Sequence, residues 1–455
     1  MQKPIDLAKE LWPVCRSITG QGVRDTLQIL KRKNPNLKVK SIKSGRKIFD
    51  WRVPQEWNIK DGWVKNMDGE KLISFKENNL HILGYSIPIN RVITKKELEG
   101  HLYSIPEMPT AIPYVTSYYK KRWGFCVEEV RRKTIMGQQG PFEVMIDSSF
   151  LSSGVMNYGE ILIKGKQKDE IFISTYICHP SMANNEISGP VVASYIANWL
   201  SSQEKLNYTY RIVFIPETIG SIAYIQKHKN RLKKRIKAGF NLTCIGDERD
   251  YSYLPSRNGN TYADKVAKFV LESIKKDFKC YSWLDRGSDE RQYCSPGIDL
   301  PVCSIMRTKY GEYPEYHTSL DDFKVVTNTG LEGGIMAMKK IINVLENNHI
   351  YKMNFYCEPQ LGKRGLYPTL SKEKNQLEAK KILNVASYCD GWNDLVDISK
   401  LCELEFDEAA KIVKLLVSKG VLRNEIDRRS HLAKIKRLLG LARRFNKWWK
   451  TASSY

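Results

Sequence analysis

Four side chains of the kinds that bind metal ions or move protons follow apolar runs at widely separated points of this chain. They are His179, Glu217, Asp247 and His317. The preceding runs are short and rich in β-branched and aromatic residues, which is typical of strands covered on both faces. Residues at the carboxyl ends of neighbouring parallel strands meet in one crevice. The pattern therefore predicts a metal site, and the chemistry that it indicates is metal-assisted hydrolysis.

Each of these residues also has a simpler explanation when it is taken alone. An isolated histidine is usually a hydrogen-bonded structural residue, and Asp247 fits a surface turn because charged residues follow it at 248–250. Glu217 is harder to explain in this way. It comes directly after an apolar strand, and burying a carboxylate without a partner costs free energy.

The elements that must position these side chains alternate along the chain. Strand-like runs occupy 170–177, 210–215, 240–245 and 300–306, and helix-like stretches occupy 189–200, 222–235 and 262–276. Strands that alternate with helices predict an α/β fold, with a mostly parallel mixed sheet and helices on both faces.

The order of the motifs resembles that of a known clan of enzymes. It resembles the co-catalytic zinc aminopeptidases of the bacterial leucyl aminopeptidase and glutaminyl cyclase clan. It is more closely similar to aminopeptidase-like proteins with a winged-helix tail that are labelled polysaccharide-biosynthesis proteins. The resemblance covers about residues 140–360 and rests on His179, Asn185-Glu186-Ile187-Ser188-Gly189, Pro216-Glu217-Thr218-Ile219-Gly220-Ser221, Asp247, Ser288-Asp289-Glu290 through Gly297-Ile298, and His317-Thr318-Ser319-Leu320-Asp321.

The resemblance implies a zinc exopeptidase-like fold, one or two zinc ions, and roles for particular residues. The implied metal positions are His179, Asn185, Asp247 and His317. The implied catalytic residues are Glu217 and Glu186, and the implied substrate contacts are Asp289, Glu290 and Arg291.

Two departures from the clan's pattern leave the roles open. Asn185 stands where the clan has an aspartate that bridges two metals, and a neutral amide is a poor bridge between cations. Glu217 is a single glutamate where the clan has two adjacent ones, a base and a ligand. Glu217 is therefore either the general base or a ligand, and in the second case Glu186 or Glu290 is the candidate base.

The chain divides into four predicted parts. We expect a discontinuous α/β domain at 1–37 and 134–368, and an inserted, mainly β domain at 38–133. The insert is indicated by alternating apolar and polar residues, an Asp68-Gly69 turn and proline-rich joints. A winged-helix domain is expected at 369–427, and a basic amphipathic tail at 428–455.

The last two parts suggest further partners. The third helix of the winged-helix domain begins with Glu405, Asp407 and Glu408. Acidic residues there repel phosphate, so the sequence favours protein contact over nucleic acid. The tail has nine Lys or Arg and no acidic residue, which fits an anionic membrane surface or, equally, a helix packed on the domain.

Composition limits the location. The chain has 73 Lys and Arg against 50 Asp and Glu, a net charge of +23, and ten cysteines without Cys-x-x-Cys spacing. Scattered cysteines indicate free thiols in a reducing compartment. No apolar run is long enough to span a membrane and no secretory segment is evident. We therefore expect a cytoplasmic protein, with the inner membrane face as a candidate surface for the tail.

The sequence is compatible with three functions. The first is a zinc-dependent amide or peptide hydrolase acting on a peptide or an amide-bearing small molecule. The second is a catalytically inactive binding or scaffold protein with the peptidase fold. The third is a nucleic-acid-binding regulator that uses the winged helix.

Overall fold

The computed structural model describes residues 2–366 and 373–425 of the 455-residue chain. Its helices are α1 (Pro4–Leu11), α2 (Gln21–Lys33), α3 (Lys95–Glu99), α4 (Glu129–Gly137), α5 (Ser188–Ser201), α6 (Ile219–Arg235), α7 (Tyr262–Ile274), α8 (Glu290–Tyr293), α9 (Asn328–Asn347), α10 (Glu373–Ser387), α11 (Leu395–Leu401) and α12 (Phe406–Ser418).

The strands form one large sheet and several small ones. They are β1 (Lys38–Lys43), β2 (Lys47–Ile48), β3 (Trp51–Arg52), β4 (Glu56–Lys65), β5 (Lys71–Ser74), β6 (Ile89–Ile93), β7 (Leu102–Tyr103), β8 (Phe125–Cys126), β9 (Phe142–Leu151), β10 (Val155–Ile163), β11 (Glu170–Tyr176), β12 (Thr209–Ile215), β13 (Ile236–Leu242), β14 (Ser252–Leu254), β15 (Lys279–Cys280), β16 (Val302–Met306), β17 (Ile350–Met353), β18 (Asp390–Asp394) and β19 (Leu422–Glu425).

The main sheet has eight strands in the order β1-β10-β12-β11-β13-β16-β14-β15. Its four central strands, β12, β11, β13 and β16, run parallel, and antiparallel neighbours flank them on both sides. Every residue of β11, β12 and β16 is buried, which fits the largely apolar sequences of these strands. The predicted mixed α/β sheet is confirmed.

Helices cover both faces of this sheet. The first turn of α5 packs on the Thr175 face, and a Cβ at Gly189 would lie 2.5 Å from the carbonyl oxygen of Leu242, so this close approach requires glycine. The helix α6 packs with Phe172 and Tyr176, which point to the opposite face because side chains alternate along a strand.

The inserted β module differs from its predicted bounds of 38–133. Strand β1, at Lys38–Lys43, pairs with β10 at the edge of the main sheet. Strand β9, at Phe142–Leu151, lies inside a four-stranded sheet of order β5-β4-β9-β6. These two strands pair differently from the predicted division because half-exposed strands alternate in the same way in either sheet, and only the pairing distinguishes them.

The chain separates into two compact units, with the boundary between Ile341 and Ile342. In the second unit α10, α11 and α12 accompany a small sheet of order β18-β17-β19. This is a winged helix, as predicted. It begins before the expected residue 369, because Ile350–Met353 supplies the central strand. The predicted tail at 428–455 lies outside the described residues.

None of the helices within 2–366 and 373–425 has the length and apolar content that crossing a bilayer requires. All ten cysteines are free thiols.

Candidate active site

His179 and Glu217 emerge side by side from adjacent parallel strands. Tyr176 of β11 pairs with Ile215 of β12, and the amide of Ile177 donates to the carbonyl of Ile215 at 3.1 Å. The next residues therefore leave the sheet together. The Nε2 atom of His179 lies 3.9 Å from Oε2 of Glu217.

His317 comes from a distant loop and lies beside His179. The two ring centroids are 5.7 Å apart, and the ring of Tyr114 lies 5.2 Å from each of them. The backbone of His317 has a positive φ of 57°, and its carbonyl accepts a 2.9 Å hydrogen bond from the amide of Tyr114. A segment of the β module thus fixes the turn that carries this imidazole.

Both imidazoles are uncharged near neutral pH. Burial lowers the pKa of His179 to about 3, and the guanidinium of Arg16 adds to this shift. Burial also lowers the pKa of His317 to about 3, with a further contribution from His179. Nε2 of His317 is buried and has no hydrogen-bond partner. A neutral imidazole with a free nitrogen is the form that binds metal ions.

Glu186 holds the other nitrogen of His179. Its Oε2 lies 3.0 Å from Nδ1 of the imidazole, and its Oε1 lies 3.2 Å from Nε of Arg16. Burial raises the pKa of Glu186, and the Arg16 cation opposes that shift. A carboxylate paired with arginine accepts a hydrogen bond from Nδ1–H, which leaves the Nε2 lone pair of His179 directed towards Glu217. Glu186 thus lies on the Nδ1 side of the imidazole, and Glu217 lies on the Nε2 side.

Asp247 is occupied by hydrogen bonds. Its Oδ1 accepts from the Arg249 amide at 2.9 Å and the Thr308 hydroxyl at 2.7 Å, and its Oδ2 accepts from the Asn184 side chain and the Thr308 amide, each at 2.9 Å. These four donors use both oxygens. The structure therefore shows Asp247 as an anchor for neighbouring loops.

Asn185 lies on a π-helical turn, Ala183–Ile187, that precedes α5. Its Nδ2 donates to the Tyr176 hydroxyl at 2.7 Å, while its Oδ1 is buried without a partner. Asp321 stabilises the turn, because its carboxylate accepts hydrogen bonds from the backbone amides of Asn184 at 2.6 Å and Asn185 at 2.9 Å. Burial raises the pKa of Asp321 to about 7.

Two of the three expected substrate contacts, Asp289 and Arg291, bond the loop after Glu217. Asp289 accepts from the Thr218 amide at 2.8 Å and the Ser221 hydroxyl at 2.7 Å, and Arg291 donates to the Thr218 hydroxyl at 2.7 Å. Burial raises the pKa of Glu217 to about 8, and the charge of Asp289 adds to this shift. Thr218 itself has a positive φ of 61°, a strained conformation of the kind that occurs at functional sites.

Glu290 does not fit the alternative role of general base. Its two oxygens accept five hydrogen bonds, from the Gly287 and Ser288 amides, the Tyr310 and Ser304 hydroxyls and the Asn241 side chain. A carboxylate with this many donors has no lone pair directed at a substrate. Its position in the sequence next to Asp289 did not reveal these partners.

Within the described part of the chain, one group of three metal-ligating atoms lies mutually within 4.8 Å: those of Cys178, His179 and Glu186. This group does not fit a cation. Burial raises the pKa of the Cys178 thiol, so the sulfur keeps its proton, and the Arg16 guanidinium already pairs with Glu186. The opposite side of His179, which faces Glu217 and His317, has free nitrogen lone pairs and suits a metal ion better.

Two residues of this site, Arg16 and Tyr114, were not predicted from the sequence. Arg16 is 2% exposed and donates to the carbonyl of His179 at 2.9 Å. Tyr114 packs against both imidazoles. Neither has a local pattern around it, because each acts through partners more than 60 residues away. The one signal in the sequence that could have indicated Arg16 was a charged residue among apolar neighbours near the start of the chain.

The chain matches two family descriptions. The domain of unknown function DUF4910 matches residues 5–348, and a winged helix-turn-helix family matches residues 349–424.

Three similar proteins add detail. A Clostridium acetobutylicum protein named as a polysaccharide biosynthesis protein with an aminopeptidase-like domain is 42% identical over 403 residues, covering 88% of this chain and 91% of the relative. A crystal structure of a candidate peptidase from Clostridium acetobutylicum has a TM-score of 0.87 at 40% identity, covering 93% of this chain and 96% of that one. The zinc aminopeptidase BSAP of Bacillus subtilis has a TM-score of 0.53 at 12% identity, covering 75% and 94% of the two chains, and shares the fold.

Proposed function

The chain belongs to the DUF4910 family, and we propose that it is a metal-dependent amide or peptide hydrolase of the aminopeptidase type. One observation carries the proposal. Two buried, uncharged imidazoles, His179 and His317, lie 5.7 Å apart with the carboxyl group of Glu217 beside them. This arrangement is costly to build without a cation, since the buried Nε2 of His317 otherwise has no hydrogen-bond partner.

We propose that His179 and His317 hold the ion through their Nε2 atoms. The orphaned Nε2 of His317 and the direction of the His179 lone pair support this assignment. Zinc is proposed because neutral imidazole is one of its usual ligands, and a bound zinc would activate water and polarise a carbonyl. One ion fits these residues better than two, since Asp247 is saturated and Asn185 carries no charge.

We assign the proton transfer to Glu217. A pKa of about 8 lets its carboxyl group exist in both protonation states near neutral pH, which suits a group that takes a proton from water and returns it to a leaving amine. The side chain is 20% exposed, so substrate and water can reach it. Asp289 and Arg291 would stabilise the loop that orients the carboxyl group of Glu217.

The proposed substrate class rests in part on the name of a relative. The name of the Clostridium acetobutylicum relative suggests a role in polysaccharide biosynthesis. We propose a peptide or an amide-bearing small molecule, including a sugar-linked amide, as the substrate.

A catalytically inactive binding protein is the second candidate. Two observations favour it. The oxygens of Asp247 are occupied by hydrogen bonds, and Glu186 is paired with Arg16. A protein that had lost its metal would have this network in place of ligands.

Hydrolysis of aminoacyl anilides separates the two candidates. Zinc-loaded wild type should release the chromophore, and Glu217→Gln should be slower by about 10²- to 10⁴-fold because the proton acceptor is gone. Glu248→Gln, at an exposed position, is the matched control. Equal rates for wild type and Glu217→Gln would contradict the proposed role.

A further inference from the structure

A cavity of about 320 Å³ opens next to the candidate active site, between the segment around Arg52 and the segment 117–121 of the β module. Its inner wall is aromatic. The ring of Tyr85 lies 5.3 Å from that of Tyr118 and 6.0 Å from that of Phe150, in both cases edge to face. The Tyr85 hydroxyl bonds the Thr19 hydroxyl at 2.6 Å, which fixes this wall.

The cavity has a strongly positive rim. Arg52, Lys120 and Lys121 line it, and no aspartate or glutamate does. All three side chains are exposed, and within residues 2–366 and 373–425 none of them forms an ion pair. Three unpaired cations around one concave surface attract and hold anions.

The cavity is connected to the imidazoles through two tyrosines. The hydroxyl of Tyr118, which lines the cavity, lies 3.3 Å from the hydroxyl of Tyr114. Tyr114 in turn contacts both His179 and His317. A substrate unit held in the cavity therefore lies within two side chains of the imidazoles.

We propose that this cavity binds a negatively charged pyranose unit of the substrate, and this assignment rests on the proposed hydrolase function. Aromatic walls accept the apolar face of a sugar ring, and the cationic rim accepts its carboxylate or phosphate. The volume lies at the lower end of the ~300–1,000 Å³ range of small-molecule sites, which suits one ring better than a nucleotide sugar. Carboxylate and phosphate share the chemistry that the rim recognises.

Calorimetric titration of the full-length protein tests the assignment. The probes are glucuronate, glucose 6-phosphate and neutral glucose. The charged sugars should bind at least about tenfold more tightly than glucose, and the better of the two identifies the anion. Lys120→Ala/Lys121→Ala should lose about tenfold in affinity for them. Lys166→Ala/Lys168→Ala, two exposed lysines elsewhere, should bind like wild type.

The binding experiment is independent of hydrolysis. His179→Ala/His317→Ala should keep the affinity for charged sugar although it loses the proposed activity, whereas a wild type that binds charged sugar but hydrolyses no amide would refute the hydrolase and leave the cavity's ligand standing. Equal affinity for glucose and the charged sugars, no binding of any probe up to about 10 mM, or unchanged binding by the Lys120/Lys121 variant would overturn the assignment. Tighter binding of a glutamate-containing dipeptide than of either sugar would overturn it in favour of an acidic peptide.

Discussion

Arg16 and Glu186 determine which nitrogen of His179 is free. The guanidinium donates to the carbonyl of His179 and pairs with Glu186, and Glu186 accepts from Nδ1. The pair lies almost entirely out of solvent, with both side chains 1% exposed. Such carboxylate–histidine pairs set the tautomer and the ring orientation of metal-binding histidines.

Replacing the arginine should therefore destabilise the fold. Arg16→Met leaves the Glu186 carboxylate buried without its cation, and breaking a buried ion pair in this way costs about 3–5 kcal/mol. Denaturant unfolding at pH 7 measures the change in the free energy of unfolding.

A second variant isolates the charge. Arg16→Met/Glu186→Gln removes both partners and should recover a large part of the lost stability. If the double variant is as unstable as the sum of the single ones, the pair does not act as described.

The ionisation of Glu217 gives a pH dependence. Its pKa is raised to about 8 in the folded protein from 4.5, so the folded state binds the proton more tightly. This contribution to stability is complete below about pH 4.5 and is lost as the pH rises through 8.

Wild type held metal-free with a chelator should therefore lose about 3 kcal/mol more than Glu217→Gln between pH 5 and pH 8. Asp289, whose pKa is raised to about 6, changes stability in the same direction in both proteins, and because its charge repels that of Glu217 the comparison reports the titration of the two carboxyl groups together. Unfolding curves at pH 5, 6.5 and 8 measure the difference. Parallel behaviour of the two proteins would show that Glu217 titrates normally.

At the level of elements, the site depends on turns that only distant partners stabilise. The π-helical turn Ala183–Ile187 departs from the hydrogen-bond pattern of α5, and π turns of this kind often occur at functional sites. Asp321 accepts hydrogen bonds from two backbone amides of this turn and from the Tyr313 hydroxyl, the last at 2.9 Å.

Asp321→Asn should loosen this turn. The amide has one acceptor oxygen in place of two, so at least one buried N–H loses its partner at a cost of about 1–3 kcal/mol. Hydrogen exchange at the Asn184 and Asn185 amides should accelerate by at least about tenfold. Asp277→Asn, at an exposed position, should leave both rates unchanged. Equal protection in Asp321→Asn and wild type would contradict this role.

The sequence predicted the elements that are buried on both faces and the residues that directly follow them. Largely apolar runs located β11, β12 and β16, and the position after a parallel strand located His179 and Glu217. Turn and loop contacts were not predictable in this way. The four donors on Asp247 and the contact of Tyr114 with His317 depend on loop packing, for which the local sequence carries no periodic signal.

For the whole molecule, the excess of positive charge is distributed. The nine basic residues at 428–455 account for part of the net +23, and +14 remains elsewhere. A distributed positive surface attracts anionic partners without selecting one. The acidic residues Asp407 and Glu408 in the first turn of α12 still speak against reading DNA with that helix, which stays a prediction.

The tail gives a prediction at this scale. Lys and Arg near an anionic bilayer each contribute about 1 kcal/mol, so the full chain should bind vesicles that contain phosphatidylserine. A chain that ends at residue 427 should lose this binding, and neutral phosphatidylcholine vesicles are the control. Sedimentation with vesicles at two salt concentrations measures it. If the shortened chain binds as well as the full one, the tail is not the membrane contact.

Metal content tests the central claim most directly. After zinc loading and dialysis, mass spectrometry of the full-length protein should find about one zinc per chain, and His179→Ala and His317→Ala should each lose it. His101→Ala, which changes a histidine stacked on Trp123 in the β module, should keep it. A wild-type protein that retains no zinc, or zinc that persists in both active-site variants, would contradict the account.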